Sequence, residues 1–220
     1  MRVINSGKAA IFDIDGTLLD SMDIWHQIDL DFFASHGLEL PSDYMAAVCP
    51  MKPMECARYT IERFHLDDRP EALVRLWDQM ALTAYGTTVK PKPHAVQYVR
   101  YLKQTGASLA VATCLTPVVR DAALNHLGIA GYFDVAVSVD QTTSVDKNSP
   151  EVYLLAAAGL NIAPECCTVF EDLLVSTQVA KSAGMKVWAM RDDYAKADWE
   201  AIAAVADGVI DDFDSAPRLL

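Results

Sequence analysis

The sequence predicts an α/β fold in which a parallel sheet with crossover helices is interrupted, after its first strand, by an inserted helical bundle. Three observations carry this expectation. The run Ala9-Ala10-Ile11-Phe12 is apolar and ends in acids and a glycine, as expected of a buried parallel strand whose C-terminal end opens into a site. From about residue 22 to residue 85 the apolar residues fall at helical spacing with no strand between them. Beyond Tyr85-Gly86-Thr87-Thr88 and the stiff Pro91-Lys92-Pro93 segment, short apolar runs alternate with helical stretches, the pattern of right-handed βα crossovers.

Strands are expected at Ser108 to Thr113, Val135 to Val139, Thr168 to Phe170, Lys186 to Ala189 and Gly208 to Ile210. Helices are expected near 93–104, 117–127, 150–159, 173–183 and 195–205. In the helical insertion the apolar stripes are Trp25, Ile28 and Phe32, then Met54, Ala57, Ile61 and Phe64, then Leu73, Leu76, Trp77, Met80 and Ala84. Breaks at Gly37 to Pro41, Pro50 to Pro53 and Asp67 to Pro70 divide it into about four helices. The first strand belongs to the later sheet, so residues 1–20 and 87–220 are expected to form the core and 21–86 a separate insertion. Ligands of such sheets bind at the carboxyl ends of the strands.

With 220 residues, 52% of them hydrophobic, the chain is long enough to bury a core without disulfides. The formal charge of -12 argues against nucleic acid and anionic membranes as partners. No apolar stretch approaches the ~20 residues of a membrane span, and the N-terminal residues lack a signal-peptide apolar region, so a cytoplasmic location is expected. The cysteines Cys49, Cys56, Cys114, Cys166 and Cys167 are odd in number without CxxC spacing, which predicts reduced, mostly buried thiols. The histidines His26, His36, His65, His94 and His126 show no metal-ligand spacing.

The chemistry begins at Asp13-Ile14-Asp15-Gly16-Thr17. A D-x-D-G-T string arises by chance in about one chain of this length in several hundred. Two carboxylates one residue apart after a strand can divide labour, one attacking and the other exchanging a proton with the attacking or leaving oxygen. Attack by a carboxylate on phosphorus needs little nucleophilic push if a cation screens the repulsion between anions, and magnesium suits oxygen ligands. Three further segments follow later strands: Ala112-Thr113-Cys114, Lys147-Asn148-Ser149-Pro150-Glu151, and Val169-Phe170-Glu171-Asp172. Ser149 reads as a helix N-cap with Pro150 as the first helical residue, leaving Lys147 in the loop before it.

On these segments the chain resembles the haloacid-dehalogenase-like (HAD) phosphohydrolases over essentially its whole length. The resemblance implies a Rossmann-like core with a helical cap. It implies that Asp13 is the nucleophile, forming an aspartyl-phosphate, and Asp15 the general acid/base. Thr113 would bind the transferring phosphoryl group, and Lys147 would offset its charge. Cys114, standing where relatives carry serine or asparagine, is a further candidate phosphate contact. Mg2+ would be held by Asp13, the Asp15 backbone carbonyl and Asp172, with Glu171 acting through a metal-bound water. An acid at position 15 favours phosphate chemistry over the carbon–halogen cleavage of the dehalogenase branch.

The insertion resembles the cap of the subgroup containing phosphoglycolate phosphatase, sugar-phosphate phosphatases and beta-phosphoglucomutase, and such a cap closes over small phosphorylated metabolites. Within its Cys49-Pro50-Met51-Lys52-Pro53 turn, Lys52 is the only charge and is a candidate substrate contact. The expected activity is magnesium-dependent hydrolysis of a small phosphomonoester of sugar or polyol type. A sugar phosphomutase is the alternative, since Phe170-Glu171-Asp172 is shared with beta-phosphoglucomutase while the mutase's glycine-and-arginine cap loop has no match. A non-catalytic phosphometabolite sensor is the third reading. The sequence leaves the oligomeric state open, a monomer included.

Overall fold

In a computed structural model, residues 3–48, 51, 53–143 and 147–220 are described. Strand β1 (Ala9–Phe12) is buried along its whole length. It runs through a turn into the two-residue strand β2 (Leu19–Asp20) and then into four helices: α1 (Met22–Ser35), α2 (Tyr44–Val48), α3 (Pro53–Phe64) and α4 (Pro70–Thr87). The chain returns through β3 (Lys90–Pro91), which pairs antiparallel with β2. From there helix and strand alternate: α5 (Ala95–Gln104), β4 (Ser108–Thr113), α6 (Pro117–His126), β5 (Val135–Ser138), α7 (Glu151–Gly159), β6 (Cys167–Glu171), α8 (Leu174–Ser182), β7 (Lys186–Met190), α9 (Trp199–Val205) and β8 (Gly208–Ile210).

The six long strands form one sheet in the order β5-β4-β1-β6-β7-β8, and every neighbouring pair is parallel. Because side chains alternate across a strand, Ala9 and Ile11 enter one core with Ala110, Val169 and Tyr153. Ala10 and Phe12 enter the other. That second core continues without a break into the helical insertion, joining Phe12, Ile14 and Leu18 to Phe32, Tyr44, Trp77 and Tyr85. Inside the insertion the aromatic rings interlock edge to face, Phe33 at 4.8 Å from both Tyr44 and Phe64, and Phe32 at 5.4 Å from Trp77. Helix α4 lies along α6, with Gly86 facing Ala122.

The structure adjusts the expected elements in a few places. Helix α4 continues through Gly86 to Thr87, two residues past the helical stretch expected to about residue 85, because packing against α6 outweighs the roughly 1 kcal/mol helix penalty of glycine. Leu76 turns to solvent, 38% exposed, while its neighbour Trp77 takes the buried position. The last predicted helix opens as a 3-10 turn over Asp193–Asp198 before α9. Among the described residues no helix is long and apolar enough to cross a membrane.

Candidate active site

The parallel register brings the ends of β1, β4 and β6 to one edge, with Phe12 beside both Val111 and Phe170. The residue after β1 is Asp13, whose backbone N–H donates to the Phe170 carbonyl at 3.0 Å and so extends the β1–β6 ladder by one step. Glu171 ends β6 and Asp172 follows it. Carboxylate oxygens of Asp13, Glu171 and Asp172 lie within 4.8 Å of one another, and all three residues are buried.

Among the described residues, one cation faces these acids. Lys147, itself buried, donates to Asp13 Oδ1 and, at 2.5 Å, to Glu171 Oε1. Glu171 is held on both sides: Tyr153 donates its hydroxyl to Oε1 at 2.6 Å, and the Asp172 backbone N–H donates to Oε2 at 3.1 Å. The Thr17 hydroxyl donates to Asp172 Oδ1 at 3.0 Å. Lys147 also sits over the Tyr153 ring, 5.5 Å from its centroid.

Burial of three acids against the Lys147 ammonium leaves the described cluster with more acids than cations. Burial pushes the Asp13 carboxyl up to about 8 despite Lys147, and Glu171 adds to the rise. Asp172 is also driven well above the carboxylate range, first by burial and then by the Asp13 and Glu171 charges. Lys147 is held above the usual lysine range because its carboxylate partners outweigh the cost of burial. Three convergent oxygen donors in a site with unbalanced negative charge fit a hard divalent cation such as Mg2+. Gly16 leaves room for this arrangement, since a Cβ there would stand 2.3 Å from Asp172 Oδ2.

Asp15 belongs to a different part of the site. Its carboxylate is outside the acidic cluster, and its Oδ1 accepts from the Ser21 hydroxyl at 2.6 Å and the Tyr85 hydroxyl at 2.5 Å. The metal contact expected of Asp15 runs through its backbone carbonyl, so its side chain is free for other work. Thr113 is buried at the end of β4, where its Oγ1 accepts the Leu115 backbone N–H at 3.1 Å and keeps its own proton to donate.

Cys114, next along, is exposed, and Cys56 and Cys166 are half-buried; Cys167 alone among the described cysteines is buried. This corrects the expectation of mostly buried thiols: Cys114 lies on the open loop beyond the sheet, which packing does not cover. Cys49 and Lys52 lie outside the described residues. Ser149 Oγ accepts the Glu151 N–H at 3.3 Å, as an N-cap does, although the regular helix starts one residue later than expected. Among the described residues no histidine joins the acidic cluster; His36 and His94 instead pair with Asp68 and Asp212.

Thr17, Ser21, Tyr85 and Tyr153 carry no expected role in the sequence. Thr17 and Ser21 lie in or beside the first motif and carry hydroxyls, which is a readable signal. Tyr153 falls in the apolar stretch of α7 and reads as core.

A parallel α/β core with clustered acids at its strand ends, and a helical insertion after the first strand, defines a class of hydrolases. The family model for haloacid dehalogenase-like hydrolases matches residues 10–190, and the chain belongs to this family. It is similar to the fructose-1-phosphate phosphatase YqaB of Escherichia coli K12, at 31% identity over 175 residues that cover 80% of this chain and 92% of that protein. A phosphorylated carbohydrates phosphatase of Thermotoga maritima is 28% identical over 179 residues, covering 81% and 82% of the two chains. In fold the chain resembles CbbY of Rhodobacter sphaeroides, solved in complex with phosphate, with a TM-score of 0.78, 24% identity and coverage of 94% and 95%.

Proposed function

We propose that this chain is a magnesium-dependent phosphomonoesterase acting on a small phosphorylated carbohydrate or polyol through an aspartyl-phosphate on Asp13. The observation that carries the reading is the Asp13–Lys147–Glu171–Asp172 constellation, in which a carboxylate at a strand end meets one ammonium and two further acids. The substrate class rests on the likeness to phosphatases named for fructose 1-phosphate and phosphorylated carbohydrates.

In this reading Asp13, Asp172 and the Asp15 carbonyl would hold the cation, while Glu171, expected to reach it only through water, fixes Lys147. A cation held by these residues would screen the repulsion between the Asp13 carboxylate and the phosphoryl oxygens. Lys147 contributes the second positive charge on the phosphoryl group. The Thr113 hydroxyl donates to a phosphoryl oxygen. Asp13 attacks phosphorus, Asp15 gives its proton to the leaving oxygen, and Asp15 then takes a proton from the water that releases phosphate. Helices within 21–86 act as the cap that shields these steps from bulk water. Lys52 remains the candidate contact to the far end of the substrate.

A phosphate-release screen over phosphorylated metabolites, run in magnesium on wild type and Asp13→Asn, tests the reading. The expected result is turnover of at least one sugar or polyol phosphate, with a loss of at least ~10³-fold in the variant. Retention of more than about a tenth of wild-type activity by Asp13→Asn removes the nucleophile assignment. A requirement for a sugar bisphosphate, with isomerised sugar phosphate as product, selects the mutase reading instead.

A further inference from the structure

Two hydroxyls from opposite ends of the helical insertion meet on one carboxylate oxygen. Ser21 immediately precedes α1, where the chain leaves the sheet, and Tyr85 lies in the last turn of α4, where the chain returns. Both residues are fully buried, and both donate to Asp15 Oδ1, at 2.6 and 2.5 Å. Asp15 Oδ2 receives no hydrogen bond from the described residues. The Tyr85 ring is wedged in the core shared by sheet and helices, beside Trp25 at 6.4 Å, so its hydroxyl has little freedom to turn away.

We propose that Tyr85 is a positioning residue for the proton transfers made by Asp15. This rests on the phosphomonoesterase reading and deepens it. With Oδ1 engaged by Tyr85 and Ser21, the carboxyl group cannot rotate freely, and the proton is carried on Oδ2. Oδ1 accepts the same two hydrogen bonds whether Asp15 is protonated or not, so neither hydroxyl must reorganise during a turnover. In the first half-reaction Asp13 bonds to phosphorus and the bond from phosphorus to the leaving oxygen breaks. The electron pair stays on that oxygen, which takes the proton from Asp15 Oδ2. In the second half-reaction water bonds to phosphorus and gives its proton to Oδ2. The Asp13–phosphorus bond then breaks, its pair returning to the Asp13 carboxylate.

The role makes a leaving-group prediction that a structural role does not. A phenolate as weakly basic as p-nitrophenolate departs without a proton, whereas a primary sugar alkoxide needs one. The measurement is kcat/KM of wild type and Tyr85→Phe in magnesium, with p-nitrophenyl phosphate and with fructose 1-phosphate. This ratio reports only the steps through departure of the first product. The variant is expected to lose about tenfold to a hundredfold on fructose 1-phosphate and less than about threefold on the aryl ester. Turnover of the aryl ester in the same sample establishes that the variant is folded. Equal losses on both esters, or no loss on either, overturn the role of Tyr85 while leaving the phosphatase reading intact. A wild type that hydrolyses the aryl ester but no alkyl ester makes no use of a proton donor and likewise overturns it. Failure of wild type on every ester overturns the phosphatase reading, and this role with it.

Discussion

The Lys147 ammonium is shared between two carboxylates, donating to Asp13 Oδ1 and Glu171 Oε1, and among the described residues it is the cation in contact with the three-acid cluster. Lys147→Met keeps the length of the side chain and removes the charge. Three buried acids are then left facing each other, which costs about 3 kcal/mol or more of stability in chelator. Turnover falls by about 10²-fold or more, the loss typical of removing a group that stabilises developing charge. Magnesium is expected to recover part of the unfolding temperature but not the turnover. Steady-state rates within tenfold of wild type would assign Lys147 a structural role only.

How much of this was readable in advance follows from distance along the chain. Strands β1 and β4 match their expected bounds residue for residue, because each is an apolar run closed by polar residues. The ribbon of Leu19–Asp20 with Lys90–Pro91 is too short to show any period, and it went unseen. The acids of the site were legible because each sits in a local motif at a strand end. Their supports were not: Tyr85 reaches Asp15 across 70 residues and Tyr153 reaches Glu171 across 18. A tyrosine on an apolar helix face looks the same in sequence whether or not its hydroxyl finds a catalytic partner.

Metal binding is testable without an assay of turnover. Lys147 offsets only part of the negative charge gathered by Asp13, Glu171 and Asp172, so magnesium should bind the folded chain and raise its stability. At a concentration about a hundredfold above Kd the gain is ~2.7 kcal/mol, or roughly 5–10 °C in Tm for a chain of this size. Asp172→Asn removes one of the repelling charges while keeping an oxygen for Thr17. The variant is therefore expected to be no less stable than wild type in chelator and to lose most of the magnesium-induced shift. Thermal unfolding with magnesium and with chelator decides it, and an undiminished shift in Asp172→Asn would remove that residue from the metal set.

Far from the site, the sheet is clamped twice by the same device. Asp134 Oδ2 accepts the Leu109 N–H at 3.0 Å and pairs with Lys103; Asp207 Oδ2 accepts the Val187 N–H at 2.7 Å and pairs with Lys181. The Asp134 and Asp207 backbone N–H groups donate in return to Leu109 and Val187, each at 2.8 Å. Partial burial pushes both carboxyls upward, but the lysine and backbone hydrogen bonds prevail and hold them below the usual aspartate range. A depressed folded-state pKa means stability that is present above the unfolded value of about 3.9 and is lost as pH falls through the folded value. Asp134→Asn and Asp207→Asn should therefore destabilise the chain at pH 7, and their deficit relative to wild type should shrink below about pH 4. Urea unfolding at the two pH values measures this, and a deficit that persists unchanged in acid would locate the effect in packing.

Two glycines with nearly the same backbone separate strain from crowding at the acidic cluster. Gly16 has φ +72° and Gly7 has φ +75°, so alanine at either position meets the left-handed region at a cost of about 1 kcal/mol. A Cβ at Gly7 meets nothing within 4 Å, whereas at Gly16 it would stand 2.3 Å from Asp172 Oδ2 and 2.8 Å from its Cγ. Asp172 is a short side chain already tethered at Oδ1 by Thr17, so yielding to a Cβ means displacing its carboxylate within the acidic cluster. Gly16→Ala should weaken magnesium binding by about 10- to 100-fold, in the range found when groups that orient metal ligands are disturbed, with a parallel loss of turnover. Gly7→Ala should lower Tm and leave magnesium affinity and turnover intact. Calorimetric titration with magnesium, beside thermal unfolding of both variants, provides the comparison. If Gly16→Ala binds magnesium within about threefold of wild type, the close approach of Gly16 to Asp172 is a packing contact that the metal site does not depend on.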